Sequence, residues 1–551
     1  MAESVQQWSA RTEKRLLLSC KESDLDSGVT FLRNKEIIAF KDAQGTVRAT
    51  RNSCKHETGH FNSASGCRTT CPRHGWRLDL STMTYLNPAG GLKQDELIIE
   101  RSHDGELRFY DRVNLFWEGH EPSKRSLAAG EFTLRFYAHA CAEFLCGGKS
   151  LVTDPWLIGP AFSRGWWLMH KPPDNWLERL AAADVIYISH NHSDHLNVHT
   201  LRRLAAVNPD VPVVVPDFSG DSCPRILRDV GMNDIRIVPF MTWIPLGTEG
   251  RYMILPDATD RDDSGILIEY GGHRVLNTVD SHNLCGGVLP KVDVLLTNFA
   301  GGASGFPVCW EQYSEQWISQ YLKKQRANEL ARVISTVKAV APQAYIPFAG
   351  YFVEAHPADR EVRRLNVKNT AAQVCHAVRK AVGGLSTWIP EPGGLFDVGL
   401  AQPAEPHPVS GEGGGPSHDF DAYLQEIQAS QTFTPLHTEE GLTRYFQWTG
   451  FRGNCVLHII ETDEGFNTII REFYVDFLDL SLCRERPSRD HRYLRIRCRS
   501  DVFRHVLRHG LPWEEISIGF QARFFREPDA YDFEFWDHFQ NKLPAEPVPW
   551  S

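Results

Sequence analysis

At 551 residues the chain has room for three or four domains of roughly 150 residues each and for more than one buried core. Its formal charge of -10 excludes a broad cationic surface for nucleic acid or anionic lipid, so an anionic ligand must be caught by a local patch. Thirteen cysteines, an odd number without framework spacing, suit reduced thiols and a few ligands better than a disulfide scaffold.

The opening "MAESVQQWSARTEKRLLLSC" carries charge on both sides of three leucines and lacks the apolar centre of a signal peptide. No stretch approaches the roughly 18 uninterrupted apolar residues of a membrane span, so the expected location is cytoplasmic. From about Thr30 to Tyr110, segments such as "EIIAFKD" and "LRFYDR" predict short strands broken by Gly, Asn, Asp and Pro, an all-β module over residues 1–117. The polar, turn-rich stretch 118–131 reads as a linker.

Residues 132–401 alternate β-rich segments ("KSLVTDPW", "DVIYISH", "VPVVVPD", "IRIVPF", "GILIEY", "HRVLNTVD", "VDVLLTNF") with helical ones ("NWLERLAAA", "TLRRLAAV"), which indicates an α/β domain on buried sheets. Ser314 is placed to cap a long helix that Pro342 stops, with Trp317, Ile318, Tyr321 and Leu322 as its core face. Residues 402–419, "QPAEPHPVSGEGGGPSHD", form the clearest linker. The remaining region, 420–551, reads as α+β, with an alternating strand over Ile516–Phe525, a helix around "SDVFRHVLRHG" and no ligand cluster of its own.

Two constellations carry chemistry. Cys54 and His56 form one Cys/His pair, and Cys71 and His74 another, in a β-rich setting. That arrangement suits a two-iron cluster in which each loop supplies one thiolate and one imidazole. A structural zinc site uses the same ligand types, but zinc fingers group cysteines with cysteines and histidines with histidines. Further on, "SHNHSDHLN" places His190, His192, Asp194 and His195 within six positions directly after a buried strand. Histidines two apart at a strand end project to one side, and the next two ligands serve an adjacent position, so one metal with spare ligands or two metals both fit.

The spacing C-x-H, about fifteen residues, C-x-x-H resembles the Rieske family, while Cys67 has no evident partner. The motif H-x-H-x-D-H, with "HA" at His139-Ala140 and "TDPW" at Thr153–Trp156, resembles the metallo-β-lactamase superfamily, which implies an αββα sandwich and assigns Asp280 of "LNTVD" a metal-bridging role. Two departures stand out. The superfamily's third first-site histidine falls near Asp257 and Asp260, and its last second-site histidine falls at Phe348, with His356 as the nearest substitute. Two histidines and one carboxylate are the set expected of a non-haem iron(II) oxygenase.

With "DPWLIGPAFSRGWWLMHKPPDNWLERL", "FAGGASGFP", "PFAGYFVEAHP" and "VDFLDLSLCRERPSRDH", the chain from about Val29 to Pro549 is similar to the CMP-N-acetylneuraminate hydroxylase family. The resemblance implies conversion of an N-acetyl group on CMP-N-acetylneuraminate to N-glycolyl with O2. The electrons come from NADH through a reductase and cytochrome b5, or a ferredoxin, and a homo-oligomer is expected only by analogy. It implies a Rieske [2Fe-2S] cluster on Cys54, His56, Cys71 and His74, and makes His190, His192, Asp194, His195 and Asp280 the candidates for the second site. An acetyl methyl is an unactivated C–H group, beyond acid–base machinery and within reach of iron–oxygen chemistry. A redox-regulated metal hydrolase, and a monooxygenase of another amide or amino sugar, are the competing readings. For the substrate phosphate, the loop "AGGASG" (Ala300–Gly305) and Arg164 beside Trp166 and Trp167 are candidates. Against that, the loop reads equally as a required turn, and the tryptophans read better as a packed domain interface.

Overall fold

The computed structural model describes residues 12–33, 35–54, 61, 64–71, 76–86, 93–114, 122–218, 221–258, 262–404, 417–429, 435–532, 535–536 and 538–539. They form two compact units: Met1–Glu121 with Ala258–Arg261 and Asp529–Lys542, and Pro122–Asp257 with Asp262–Pro528 and Leu543–Ser551.

The smaller unit is all β. One three-stranded antiparallel sheet pairs Thr12–Lys21, Glu106–Asn114 and Ile98–Arg101, and a second pairs Gly28–Leu32, Ile37–Lys41 and Val47–Arg51. A four-stranded meander runs from Ala64–Ser65 through Arg68–Thr70 and Arg77–Asp79 to Thr84–Tyr85. Side chains alternate across a strand, and here that alternation divides the core in two. Ile38 and Phe40 join Cys54, Phe61, Cys71, Trp76 and Leu78, whereas Ile37 and Ala39 join Leu97, Leu107 and Phe109.

In the larger unit two mixed sheets face each other. The first runs, in spatial order, Ile235–Val238, Val213–Pro216, Val185–Tyr187, Lys149–Thr153, Cys141–Cys146, Phe132–Ala138, Leu395–Asp397 and Gln402–Pro403. The second runs Ile244–Leu246, Gly250–Pro256, Ser264–Tyr270, His273–Asn277, Val294–Thr297, Ala344–Pro347 and Ser386–Thr387. The near-continuous apolar strands Val185–Tyr187, Val213–Pro216 and Val294–Thr297 are buried throughout, as parallel strands covered on both faces must be. Helices including Val198–Ala205 and Ser222–Asp229 accompany the first sheet, and Glu315–Val340 and Ala371–Ala381 the second. This is the αββα sandwich.

Ser314 caps the long helix, accepting from the Trp317 amide, and Ala341 turns left-handed just before Pro342. Its core face is Ile318, Leu322, Val333, Val337 and Val340. The expectation for Trp317 and Tyr321 is corrected. Trp317 is 39% exposed and stacks between Tyr313 and Tyr321, with centroids 4.0 and 5.3 Å away. At about 100° per residue, the buried face formed by Ile318, Leu322, Val333, Val337 and Val340 is centred about 150° around the helix from Trp317, which therefore points to the surface.

The C-terminal region is α+β and, as far as Pro528, belongs to the larger unit, whereas Asp529–Lys542 falls in the smaller one. Its sheet runs Ser481–Cys483, Ile469–Asp476, Cys455–Thr462, Arg492–Arg499 and Ala522–Glu527, flanked by helices Glu439–Thr449 and Ser500–His509. The strand expected over Ile516–Phe525 is shorter. Glu514–Ser517 is a helical turn, and the strand begins at Ala522. Between them the chain packs backbone against backbone on the central sandwich, where a Cβ at Gly165 would lie 1.8 Å from the Gly519 carbonyl oxygen, so only glycine fits. Of the expected linkers, 118–121 and 405–416 lie outside the described residues, while Arg125 ties the stretch after Pro122 to Glu249 (2.6 Å).

Candidate metal centre

The ends of four strands converge on one buried point. Phe132–Ala138 leads to His139, Lys149–Thr153 to Asp154, Val185–Tyr187 to the His190–His195 loop, and His273–Asn277 to Asp280. Three non-glycine residues here adopt left-handed backbone: His139 (φ 45°), Asp154 (φ 37°) and Val279 (φ 50°). Such conformations cost of order 1–3 kcal/mol each and persist where the surroundings impose them, often at functional sites.

The donors fall into two groups, each of two histidines and one carboxylate: His190, His192 and Asp280, and His139, Asp194 and His195. Within each group the ligand-type atoms all lie within 4.8 Å of one another. In the first, His190 Nε2 is 2.9 Å from His192 Nδ1. In the second, Asp194 Oδ2 is 3.1 Å from His139 Nε2 and 3.3 Å from His195 Nε2. The groups adjoin, because Asp280 Oδ2 is 3.4 Å from His195 Nε2.

Neighbours orient these rings. Asp154 accepts from the Ser189 amide (2.7 Å) and hydroxyl (2.8 Å) and from His195 Nδ1 (3.1 Å), which leaves His195 Nε2 facing Asp194 and Asp280. His192 Nε2 donates to Glu514 Oε2 at 2.9 Å, which leaves Nδ1 facing His190. Burial pulls the His192 pKa down, but the Glu514 carboxylate outweighs it and holds the value up at about 9. Burial likewise opposes charge on Asp194 and His195, yet their mutual attraction keeps Asp194 well below and His195 well above its ordinary range. Asp263, 3.5 Å from His190 Nδ1, is pushed up to about 8 by burial and then by Asp280 and Asp257.

Asp194 Oδ1, His139 Nδ1 and His195 Nε2 are buried without a hydrogen-bond partner. Buried polar atoms are rarely left so, and a cluster of them within an imidazole and carboxylate set fits bound metal. The donors are all nitrogen and oxygen, which suits iron, manganese or zinc and disfavours soft ions. Around His139 the wall is aromatic. Trp156 lies 5.2 Å away, and Trp166, stacked on Phe352 at 3.6 Å, lies 6.3 Å away.

All five residues singled out for this centre, His190, His192, Asp194, His195 and Asp280, meet there. His139 and Asp154 belong beside them; each stood in a motif noted in the sequence, one residue after a buried strand. His356 does not reach the centre, because it pairs with Glu464 at 3.2 Å and accepts from the Ala358 amide. Phe348 is a buried packing residue, Asp257 accepts from Ser281 and from the Asn283 amide (3.1 Å), and Asp260 lies outside the described residues. Arg164 pairs with Glu464 (3.1 Å) and Asp501, and the buried Trp166 donates to the Ile518 carbonyl (3.1 Å), as a domain interface requires. The 300–305 loop is likewise engaged: Gly302 O accepts from Asn366 (2.8 Å), and Gly305 N–H donates to Ser517 O (2.9 Å).

In the smaller unit, Cys54 and Cys71 are fully buried in one core cluster with Trp76. His56 and His74 lie outside the described residues. Cys67 is half-buried, with Asp79 as its neighbour at 3.8 Å.

Fold and site together define a protein that joins a Rieske module to a β-lactamase-superfamily sandwich with an all-nitrogen-and-oxygen metal centre. The family model for the Rieske [2Fe-2S] domain matches residues 16–94, and that for the Beta-lactamase superfamily domain matches residues 133–303. The chain is 41% identical to the cytidine monophosphate-N-acetylneuraminic acid hydroxylase of Mus musculus, over 98% of this chain and 97% of that one. It is equally 41% identical to the hydroxylase of that name from Xenopus laevis, over 97% and 94%. This chain belongs to the cytidine monophosphate-N-acetylneuraminic acid hydroxylase family. Among solved structures, the diiron β-hydroxylase CmlA from Streptomyces venezuelae overlaps at 20% identity and a TM-score of 0.31, covering 47% of this chain and 53% of that one, too slight a likeness to carry weight. No described helix is long and apolar enough to cross a membrane.

Proposed function

We propose that this protein is a monooxygenase that converts the N-acetyl group of CMP-N-acetylneuraminate to N-glycolyl. The observation that carries this reading is the full-length family membership, joined to a buried centre made of two sets of two histidines and a carboxylate. The balance is one C–H bond and one O2 in, one C–OH and one water out, with two electrons and two protons supplied. Cys54, His56, Cys71 and His74 hold the Rieske cluster, the route for those electrons. His190, His192 and Asp280, with Asp194, His195 and His139, hold non-haem iron, which when bound supplies reductive activation of dioxygen.

The chain's own residues aim and enclose that centre. Asp154 fixes the tautomer of His195, and the Trp156, Trp166 and Phe352 wall keeps bulk water from the His139 side. The electrons come from NADH through a reductase and cytochrome b5 or a ferredoxin, in the cytoplasm. Residues 1–117 make up the Rieske domain, 132–401 the catalytic domain and 420–551 the C-terminal domain, with 118–131 and 402–419 as connections.

The test is turnover of CMP-N-acetylneuraminate under labelled dioxygen with a chemical or enzymatic reductant. The expected result is product carrying one labelled oxygen, with reductant consumed in proportion; turnover without oxygen or reductant overturns the reading. Because nitrogen and oxygen donors also suit zinc, a hydrolase is the second reading, and oxygen-independent cleavage of a phosphodiester or lactone by zinc-loaded protein is its signature.

A further inference from the structure

We infer that Glu514, from the C-terminal region, is a positioning residue of the metal centre, fixing His192 so that its Nδ1 faces the same point as His190 Nε2. The inference rests on the reading of His192 as a metal ligand. An imidazole has two nitrogens on opposite sides of the ring, and only a free lone pair binds metal. In His192 the two are clearly divided, with Nδ1 2.9 Å from His190 Nε2 and Nε2 2.9 Å from Glu514 Oε2. Glu514 therefore lies on the far side of the ring from the donor group of His190, His192 and Asp280, and acts on the centre through the histidine. A carboxylate behind a ligating imidazole fixes its tautomer and raises its basicity, and loss of such a partner typically weakens metal binding 10–100-fold.

The turn that carries Glu514 is built to stay in place. Trp513 before it is fully buried and donates from Nε1 to Tyr445 at 2.8 Å. Glu515 after it accepts from the Ser163 hydroxyl at 2.8 Å, and Gln521 donates to the Ser163 carbonyl at 2.7 Å. The central sandwich answers from a second side, since the Trp166 indole donates to Ile518 O and the Gly305 amide to Ser517 O. A carboxylate held this firmly beside an imidazole has little freedom to turn elsewhere, and only 15% of its side chain is exposed. Removing a carboxylate from water is unfavourable unless it is paired, and His192 is one partner of Glu514. The C-terminal region, among whose described residues no ligand cluster lies, thus contributes to the centre through Glu514, 322 residues from its target.

The test uses the full-length chain, depleted of metal at the second centre and titrated anaerobically with Co(II), whose ligand-field absorption reports affinity and geometry without turnover. Thermal unfolding and the EPR signal of the reduced Rieske cluster monitor folding. Three variants are compared with the native chain: Glu514→Ala, Glu514→Gln and His192→Ala. Expected are loss of one Co(II) equivalent in His192→Ala, a 10–100-fold weaker affinity with an altered spectrum in Glu514→Ala, and a smaller loss in the isosteric Glu514→Gln. Native stoichiometry in His192→Ala overturns the ligand reading and this inference with it. Loss of the equivalent in His192→Ala, with native affinity and spectrum in folded Glu514→Ala, overturns the inference alone. If Glu514→Ala does not fold, Glu514→Gln decides, and native Co(II) affinity in it is equally fatal.

Discussion

A carboxylate that orients a ligand shapes a site as much as one that binds. Asp154 is fully buried, collects three hydrogen bonds from Ser189 and His195, and sits in a left-handed backbone conformation. Asp154→Asn replaces an acceptor with an amide that presents a donor to His195 Nδ1, so metal affinity at the centre is expected to fall about 10–100-fold with the fold retained. Iron retained after dialysis against a graded chelator series measures this, and unchanged retention refutes it. The H-x-H-x-D-H ligands were legible because four donors fall within six positions. His139 and Asp154 were visible only as parts of resembling motifs, since a lone histidine or aspartate after a strand carries no spacing to test. Glu514 was not legible at all: nothing in "PWEEIS" differs from an ordinary helix start, and its partner is set by tertiary packing.

At the scale of elements, patterning placed the buried strands and the cap and stop of the long helix, because those depend on local signals. It failed where an apolar residue had two destinations. Trp317 is large and apolar, yet it lies in a surface ladder with Tyr313 and Tyr321, while Leu322 is 2% exposed in the core. Leu322→Ala is therefore expected to cost about 2–5 kcal/mol, and Trp317→Ala about 1 kcal/mol, the value of a lost aromatic stack. Urea unfolding of the two variants checks this, and equal losses contradict the assignment of faces. The alternation over Ile516–Phe525 misled for a related reason: Gly519 and the close approach to Gly165 interrupt the strand, and no period-2 pattern records a backbone contact.

At the scale of the whole molecule, the C-terminal sheet and the metal-bearing sandwich form one compact unit, which composition did not reveal because a linker-like stretch separates them in sequence. Arg499 is 1% exposed and reaches across to Asp359, at 2.7 and 3.1 Å, while also donating to Gln521. Removing one partner of a buried pair leaves an uncompensated charge, so Arg499→Met is expected to destabilise the unit by about 3 kcal/mol, the low end of the usual range because Arg523 also lies 3.5 Å from Asp359. Adding Asp359→Leu should recover most of that loss, and an additive double variant in chemical denaturation counts against the coupling. The family's combination of a Rieske module and this centre has one direct test, metal content and EPR of the dithionite-reduced, anaerobically purified chain, compared with His190→Ala. The expected result is a Rieske signal with about three irons per chain or more, two of them in the cluster, and loss of iron from the second centre alone in the variant. A Rieske signal with two irons, two zincs in the second centre and turnover indifferent to oxygen would contradict the oxygenase reading and return the sandwich to hydrolysis.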